Sequence, residues 1–365
     1  MITQTTIGNV PPPTTGRIIT PAQHRFFLEI PKIELHCHLL GAVRQDTFEA
    51  LATKHNAPIP AQDIRDFYTR GAKPTGVLRV LRALEQHLLL EPDDFRRIAY
   101  EYLEDAAAQN VLHAEFFWNP TATIRDTALS YAKVQAGILT GMRDAEEDFG
   151  ISSLLIPSID READPKAAVE MVEAMIAARD PRVAGIGIDY RETDRPPELF
   201  TPAYALARQA GLRTTAHAGE FGTPWRNVAT AVDLLRVDRV DHGYTIIENP
   251  DLAAEYAERG IVFTIVPTNS YYLRTLPPYR WAADHPIKRM VALGIKVHPN
   301  TDDPTLHEVT PAGAWELMYS HFGYGLSDLK AMMLNGIHGC WADEERKARW
   351  RAEWPVAFDA LAEDF

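Results

Sequence analysis

The chain has 365 residues, of which 46% are hydrophobic and 24% charged, a composition that is typical of a globular protein and excludes a disordered or fibrous one. Its formal net charge of −13 argues against nucleic acid or an acidic membrane surface as a partner, because both are negatively charged and bind positively charged protein surfaces. No run of eighteen apolar residues occurs, so we predict no membrane-spanning segment. Two cysteines and no secretory signal pattern predict a cytoplasmic protein without a disulfide framework.

The first segment that the composition sets apart is residues 1–22, which are rich in threonine and proline and show no hydrophobic period. Pro11-Pro12-Pro13 favours an extended, polyproline-like conformation. We therefore predict an extended N-terminal tail over residues 1–22 and a single domain over residues 23–365. Both a plain tail and a contact within a homo-oligomer fit the composition of the first segment.

Short apolar runs alternate with longer amphipathic helical patterns from Ile30 onward, which indicates a parallel α/β sheet. The predicted strands cover 32–39, 111–118, 152–159, 183–189, 212–217, 239–244, 261–267 and 294–300. The predicted helices include 164–178, 202–210, 227–236 and 251–260. Eight strands are the number that closes a (β/α)8 TIM barrel, although an open doubly wound sheet has the same local pattern. Residues 44–110 are too long for one crossover, so we expect extra helices between the first two strands.

Histidine and carboxylate side chains follow several predicted strands at the ends where the mouth of a parallel barrel lies. His36 and His38 point to one side of the first strand, because strand side chains alternate between faces. The candidate residues of the mouth are His36, His38, His217, Glu220, His242, Asp302 and Asp303. Each motif alone has a structural explanation, such as a helix N-cap for Asp302-Asp303-Pro304. Together, three histidines and one aspartate suit Zn²⁺ or another first-row ion.

The segments PKIELHCHLLGA, TAHAGE, RVDHGY and NTDDP resemble, in the same order, the signatures of the adenosine deaminase family. The resemblance covers about residues 30–340 and implies a metal-dependent enzyme that hydrolyses the 6-amino group of a purine. It implies that one Zn²⁺ per chain is held by His36, His38, His217 and Asp302. It also implies that Glu220 donates a proton to purine N1, that His242 orients the attacking water, and that Asp303 hydrogen-bonds N7.

Two departures from the family pattern concern the substrate, and they make Leu40, Gly41, Glu192 and Asp303 the expected substrate-binding residues. Members that act on adenosine carry an aspartate, in place of Leu40, that contacts the ribose 5′-hydroxyl. An apolar residue there leaves a substrate hydroxyl unpaired, at a cost of about 1–3 kcal/mol. Glu192 stands where those enzymes have a glycine near purine N3. We therefore expect a 5′-modified adenosine, such as 5′-methylthioadenosine or 6-aminodeoxyfutalosine, in preference to adenosine.

Other substrates and one other class of protein also fit the sequence. Free adenine has no 5′-hydroxyl to satisfy. An N6-substituted AMP needs cations for its phosphate, and Arg191, Arg195 and Arg274 are the nearby candidates. A non-catalytic purine-binding protein is the alternative of another class, and it is expected to have lost Glu220, His242 or a metal ligand.

Overall fold

The computed structural model describes residues 16–69 and 76–365. Its strands are β1 (Lys32–His38), β2 (Val111–Trp118), β3 (Ser152–Asp160), β4 (Gly185–Asp189), β5 (Arg213–Ala218), β6 (Arg239–His242), β7 (Val262–Ile265) and β8 (Lys296–Pro299). Each strand pairs in parallel with the next one along the chain. The chain just after β8 closes the sheet onto β1, because Cys37 and Asp302 form a parallel bridge. The predicted (β/α)8 barrel is therefore confirmed.

Helices connect the strands, and others precede the first strand and follow the last. Those before β2 are α1 (Pro21–Glu29), α2 (Gln45–Lys54), α3 (Ala61–Phe67), α4 (Val77–His87) and α5 (Pro92–Ala107). Those between β2 and β8 are α6 (Pro120–Asp126), α7 (Tyr131–Phe149), α8 (Pro165–Ala177), α9 (Thr201–Gln209), α10 (Trp225–Ala229), α11 (Pro250–Glu258), α12 (Ser270–Thr275), α13 (Trp281–Asp284) and α14 (Pro286–Ala292). Those after β8 are α15 (Pro304–His307), α16 (Pro311–Ser320), α17 (Leu326–Gly339) and α18 (Glu344–Ala362).

Many of these helices begin at a proline, whose fixed φ suits the first helical position and whose missing N–H is not needed there. The residue before the proline then supplies the cap: Asp164 accepts from the backbone of Lys166 at the start of α8, and Thr310 does so from Gly313 at the start of α16. The extra helices expected between β1 and β2 are α2 to α5. Among them, α4 places Val77, Leu78 and Leu81 beside the mouth of the barrel.

The N-terminal part of the described chain packs against the C-terminal part. Helix α1 begins at Pro21, two residues before the predicted domain boundary, and Thr20 caps it. The ring of Phe26 in this helix meets Phe358 and Phe365 edge-on, with centroids 5.1 and 4.8 Å away. Residues 1–15 of the predicted tail lie outside the described residues. In the described part of the chain, no helix combines the length and the apolar character needed to cross a membrane.

Candidate active site

Four predicted metal ligands meet at the mouth of the barrel. His36 and His38 project from the end of β1, His217 from β5, and Asp302 from the turn after β8. Each residue offers one ligand atom, and the four atoms lie within 4.8 Å of one another. The Nε2 atom of His38 is 3.1 Å from Nε2 of His217 and 3.3 Å from Oδ1 of Asp302.

The other ring nitrogen of each histidine faces an oxygen. Nδ1 of His38 is 3.2 Å from the Asp189 carboxylate, and Nδ1 of His217 is 3.4 Å from the Asp241 carboxylate. Nδ1 of His36 lies 3.0 Å from the hydroxyl of Thr264 and 3.3 Å from its carbonyl oxygen. Since carboxylates and carbonyls only accept hydrogen bonds here, these contacts place the proton on Nδ1 and leave each Nε2 lone pair directed at the centre.

This arrangement fits a transition-metal ion. Nε2 of His36 is completely buried and has no hydrogen-bond partner among the described residues, which is costly unless a metal takes its lone pair. Ligand atoms about 2.0–2.1 Å from a tetrahedral Zn²⁺ are separated by about 3.4 Å, and the contacts of His38 are close to that spacing. Three strand residues that sequence reasoning missed orient the histidine rings through these Nδ1 contacts: Asp189, Asp241 and Thr264.

Glu220 and His242 lie beside the metal cluster, with Nε2 of His242 3.5 Å from a carboxylate oxygen of Glu220. Asn269 donates to the other oxygen of Glu220 at 3.0 Å. Burial, with the charge of Asp302 added, raises the pKa of Glu220 well above its usual value. Burial, with the neighbouring histidines His36 and His217 added, lowers the pKa of His242 well below its usual value. Burial thus favours the protonated form of Glu220 and the neutral form of His242, and acid–base chemistry needs one proton donor and one proton acceptor of this kind.

The hydroxyl of Tyr244 fixes which nitrogen of His242 carries the proton. This hydroxyl donates to the carbonyl of Val266 at 3.1 Å and accepts from the Val266 amide at 2.9 Å. Its single hydrogen is thus used, and Nδ1 of His242, 3.3 Å away, must donate to the remaining lone pair. Nε2 of His242 is left unprotonated and faces Glu220. His242 has a φ of 66°, in the left-handed region, so the backbone also holds this side chain in an uncommon conformation.

Asp303 and Gly41 form a close contact at the opposite side of the mouth. A Cβ atom added to Gly41 would lie 1.8 Å from Oδ1 of Asp303, so only glycine lets this carboxylate take its position. Asp303 lines the central cavity together with His307, a residue that the sequence did not single out. His307 lies on α15 with its Nε2 3.2 Å from the hydroxyl of Ser270.

The other two residues expected to bind substrate, Leu40 and Glu192, are placed differently. Both are buried, and neither is among the described residues that line the cavity. The Glu192 carboxylate points into the loop that follows β5, where it accepts hydrogen bonds from the backbone of Gly219 and Glu220. Its interactions are therefore with the protein chain.

The cavity above the metal cluster has a volume of about 590 Å³, which is within the range of small-molecule sites. Tyr190, Phe221 and Tyr271 supply aromatic walls. Of the arginines considered as phosphate ligands, Arg191 and Arg274 line this cavity. Arg195 instead donates to backbone carbonyls, including that of Arg161 at 2.6 Å.

A closed barrel with a buried cluster of three histidines and one aspartate at its mouth, beside an acid–base pair, defines a metal-dependent hydrolase. Comparisons with known proteins refine this class. Residues 31–353 match the family model for adenosine deaminase. The adenine deaminase of Rhodospirillum rubrum is 33% identical over 343 residues, which cover 90% of this chain and 96% of that protein.

Two solved structures are similar over nearly their whole length. An amidohydrolase from Burkholderia ambifaria with bound Zn is 67% identical, with a TM-score of 0.96 and 98% coverage of both chains. The adenine deaminase of Arthrobacter aurescens is 30% identical, with a TM-score of 0.80, 92% of this chain and 98% of that chain being covered. This chain thus belongs to the adenosine deaminase family, and it is a metal-dependent deaminase.

Proposed function

We propose that the protein is a zinc-dependent hydrolytic deaminase that converts free adenine and water to the 6-oxopurine and ammonia, with one Zn²⁺ per chain. The observation that carries the reaction type is the placement of Glu220 and His242, 3.5 Å apart, beside the four converging ligands. Free adenine is favoured over adenosine because it has no 5′-hydroxyl, and Leu40 stands where members that act on adenosine carry the aspartate that contacts this hydroxyl. The relatives of R. rubrum and A. aurescens are both named adenine deaminases.

The chain's own residues divide the proton transfers. When bound, Zn²⁺ would lower the pKa of a water ligand to about 7 and so supply a nucleophile at neutral pH. Nε2 of His242 is free to accept a hydrogen bond from the attacking water and to hold it over purine C6. The carboxyl of Glu220 donates its proton to ring N1 as C6 becomes tetrahedral, and Asp303 contacts N7. His242 takes the proton that the attacking water gives up and returns it to Glu220. The remaining hydroxyl proton moves to the amino group, which leaves as ammonia, and the ring becomes planar again with a carbonyl oxygen on C6.

A second candidate substrate is a nucleoside with an apolar 5′ substituent, such as 5′-methylthioadenosine or 6-aminodeoxyfutalosine. The cavity of about 590 Å³ and the apolar side chains of Val77, Leu78 and Leu81 from α4 favour a ligand larger than a purine base. An N6-substituted AMP is less favoured, because Arg195 is already committed to backbone carbonyls and Arg191 lies 3.5 Å from Glu162.

Ammonia release from a substrate panel tests the proposal. The panel contains adenine, adenosine, 5′-methylthioadenosine, 6-aminodeoxyfutalosine and N6-methyl-AMP, with guanine and cytosine as controls and the Glu220→Gln variant as the blank. Turnover of adenine well above that of every nucleoside is expected. If a 5′-modified nucleoside is turned over faster than adenine, that nucleoside and not adenine is the substrate. If protein that holds one zinc ion per chain releases no ammonia from any of the aminopurines, the proposed function is refuted.

A further inference from the structure

The carboxylate of Glu192 is buried beneath the loop that follows β5, with only 2% of the residue exposed. One of its oxygens accepts from the backbone N–H of Gly219 at 3.0 Å and from the side-chain amide of Asn227 at 2.8 Å. The other oxygen accepts from the hydroxyl of Thr223 at 2.6 Å and from the backbone N–H of Glu220 at 3.2 Å. A carboxylate has about four acceptor positions, so the chain fills all of them.

A buried guanidinium completes this cluster. Arg161 follows β3, is fully buried, and lies with Nη1 3.9 Å from a carboxylate oxygen of Glu192. Its Nη2 donates to the backbone carbonyl of His217 at 2.5 Å. Within residues 16–69 and 76–365, Nε and Nη1 of Arg161 have no hydrogen-bond partner, so the nearby carboxylate is what offsets the buried positive charge.

Together the two side chains hold the segment 217–220 at both of its ends. Arg161 binds the carbonyl of His217, a metal ligand, and Glu192 binds the N–H of Glu220. Between them Gly219 has a φ of 68°, a left-handed turn that brings the Glu220 side chain towards the cavity. The turn is stabilised by the hydrogen bond from the Gly219 amide to Glu192.

We propose that Glu192 and Arg161 act as positioning residues: their buried ion pair sets the placement of the Glu220 carboxyl for proton donation to the purine. This inference rests on the proposed role of Glu220. Proton transfer requires the donor to stand within hydrogen-bond reach of N1, and a misplacement of about 1 Å can cost roughly 100-fold in rate. Since neither side chain lines the cavity, their loss is expected to change kcat much more than KM.

The main test is the Glu192→Gln variant, which keeps the size of the side chain but replaces one acceptor oxygen with an NH2 group that faces donors. With adenine as the substrate, or the panel member that wild type turns over fastest, we expect kcat to fall roughly 100-fold. KM should stay within about threefold of wild type, and the zinc content, measured by elemental analysis, should remain that of wild type.

Two smaller changes keep the test decisive if Glu192→Gln folds poorly. Thr223→Val removes one donor to Glu192 without changing the shape of the side chain, and we expect an intermediate loss of kcat. Thr223→Ser keeps the hydroxyl and should restore the rate. A loss of stability alone would give no such rescue of kcat by the conservative variant.

A matched control comes from the other end of the barrel, where Glu115 of β2 pairs with Arg239, the first residue of β6. Both of these residues are fully buried. Glu115→Gln should lower Tm with no change in kcat of the folded enzyme. If Glu192→Gln and Thr223→Val behave in the same way, or if their loss of kcat follows a loss of zinc, the positioning role is overturned. An inactive wild type would instead refute the proposed function.

Discussion

Among the described residues, only the hydroxyl of Tyr244 forms a hydrogen bond with Nδ1 of His242, and this hydrogen bond keeps the proton on Nδ1. We predict that Tyr244→Phe lowers kcat about tenfold, since one hydrogen bond of ordinary strength is lost and Nε2 is no longer kept unprotonated. KM should change little, because Tyr244 does not line the cavity. Steady-state kinetics with adenine measure both constants.

The control for this variant is Tyr272→Phe, which removes a hydroxyl from the ring that meets Tyr244 edge-on at 5.0 Å. Packing is perturbed to the same degree, but no contact to His242 is lost. Equal loss of kcat in the two variants would assign the effect to packing and would contradict the role of the Tyr244 hydroxyl.

The absence of a side chain at Gly41 provides the space that the Asp303 carboxylate occupies. We predict that Gly41→Ala displaces the Asp303 carboxylate by about an ångström or more and lowers kcat/KM roughly 100-fold, because the new Cβ would fall 1.8 Å from Oδ1. Kinetics and a thermal melt are the measurements. Gly325→Ala at the start of α17, where an added Cβ meets its nearest atom at 3.8 Å, should keep wild-type activity. Full activity of Gly41→Ala would show that Asp303 is not needed where it stands.

Single residues also mark what the sequence could and could not predict about the site. The pair His36 and His38 was predictable, because a two-residue spacing on a strand fixes a common face. The role of Glu192 was not, since its four donors lie 27 or more residues later in the chain, in the loop after β5 and on α10, and no local pattern encodes their arrangement. Tyr244 was likewise hidden, because its partner Val266 belongs to the next strand connection.

At the scale of elements, helix α4 forms one wall of the cavity and is tied to the strands by two side chains. Arg82 donates to Asp160 at the end of β3 at 2.8 Å and stacks on the ring of Tyr190 at 4.1 Å. Glu85 accepts from the hydroxyl of Tyr190 at 2.9 Å. The sequence predicted extra helices between the first two strands. It did not predict that α4 lies over the mouth, because these ties join segments 78 or more residues apart.

We predict that Arg82→Ala loosens α4 and raises KM for adenine roughly fivefold to tenfold, with a smaller effect on kcat. The physical reason is that charge-assisted hydrogen bonds hold the wall against which the substrate packs. Arg65→Ala on α3 is the control, since Arg65 donates only to Gln62 among described side chains. An unchanged KM for Arg82→Ala would mean that α4 keeps its position without this tie.

At the scale of the whole molecule, bound metal should contribute to stability, because the four ligands come from the first strand, the fifth strand and the turn after the last strand. We predict that a chelator abolishes activity and lowers Tm by about 3–4 °C, as expected when a ligand at about 100 times its Kd is removed from a chain of this size. One equivalent of Zn²⁺ should restore both. Thermal melts followed alongside ammonia release check this, and an unchanged Tm in metal-free protein would contradict it.

The bridge between Cys37 and Asp302 also sets an order of events during synthesis. His36 and His38 leave the ribosome early and His217 follows, but Asp302 emerges only when most of the protein has been made. A nascent chain that ends before this residue has neither the fourth ligand nor the closing contact of the sheet. Binding of the ion by all four ligands is therefore a late step of biogenesis, which requires that translation has passed the last strand.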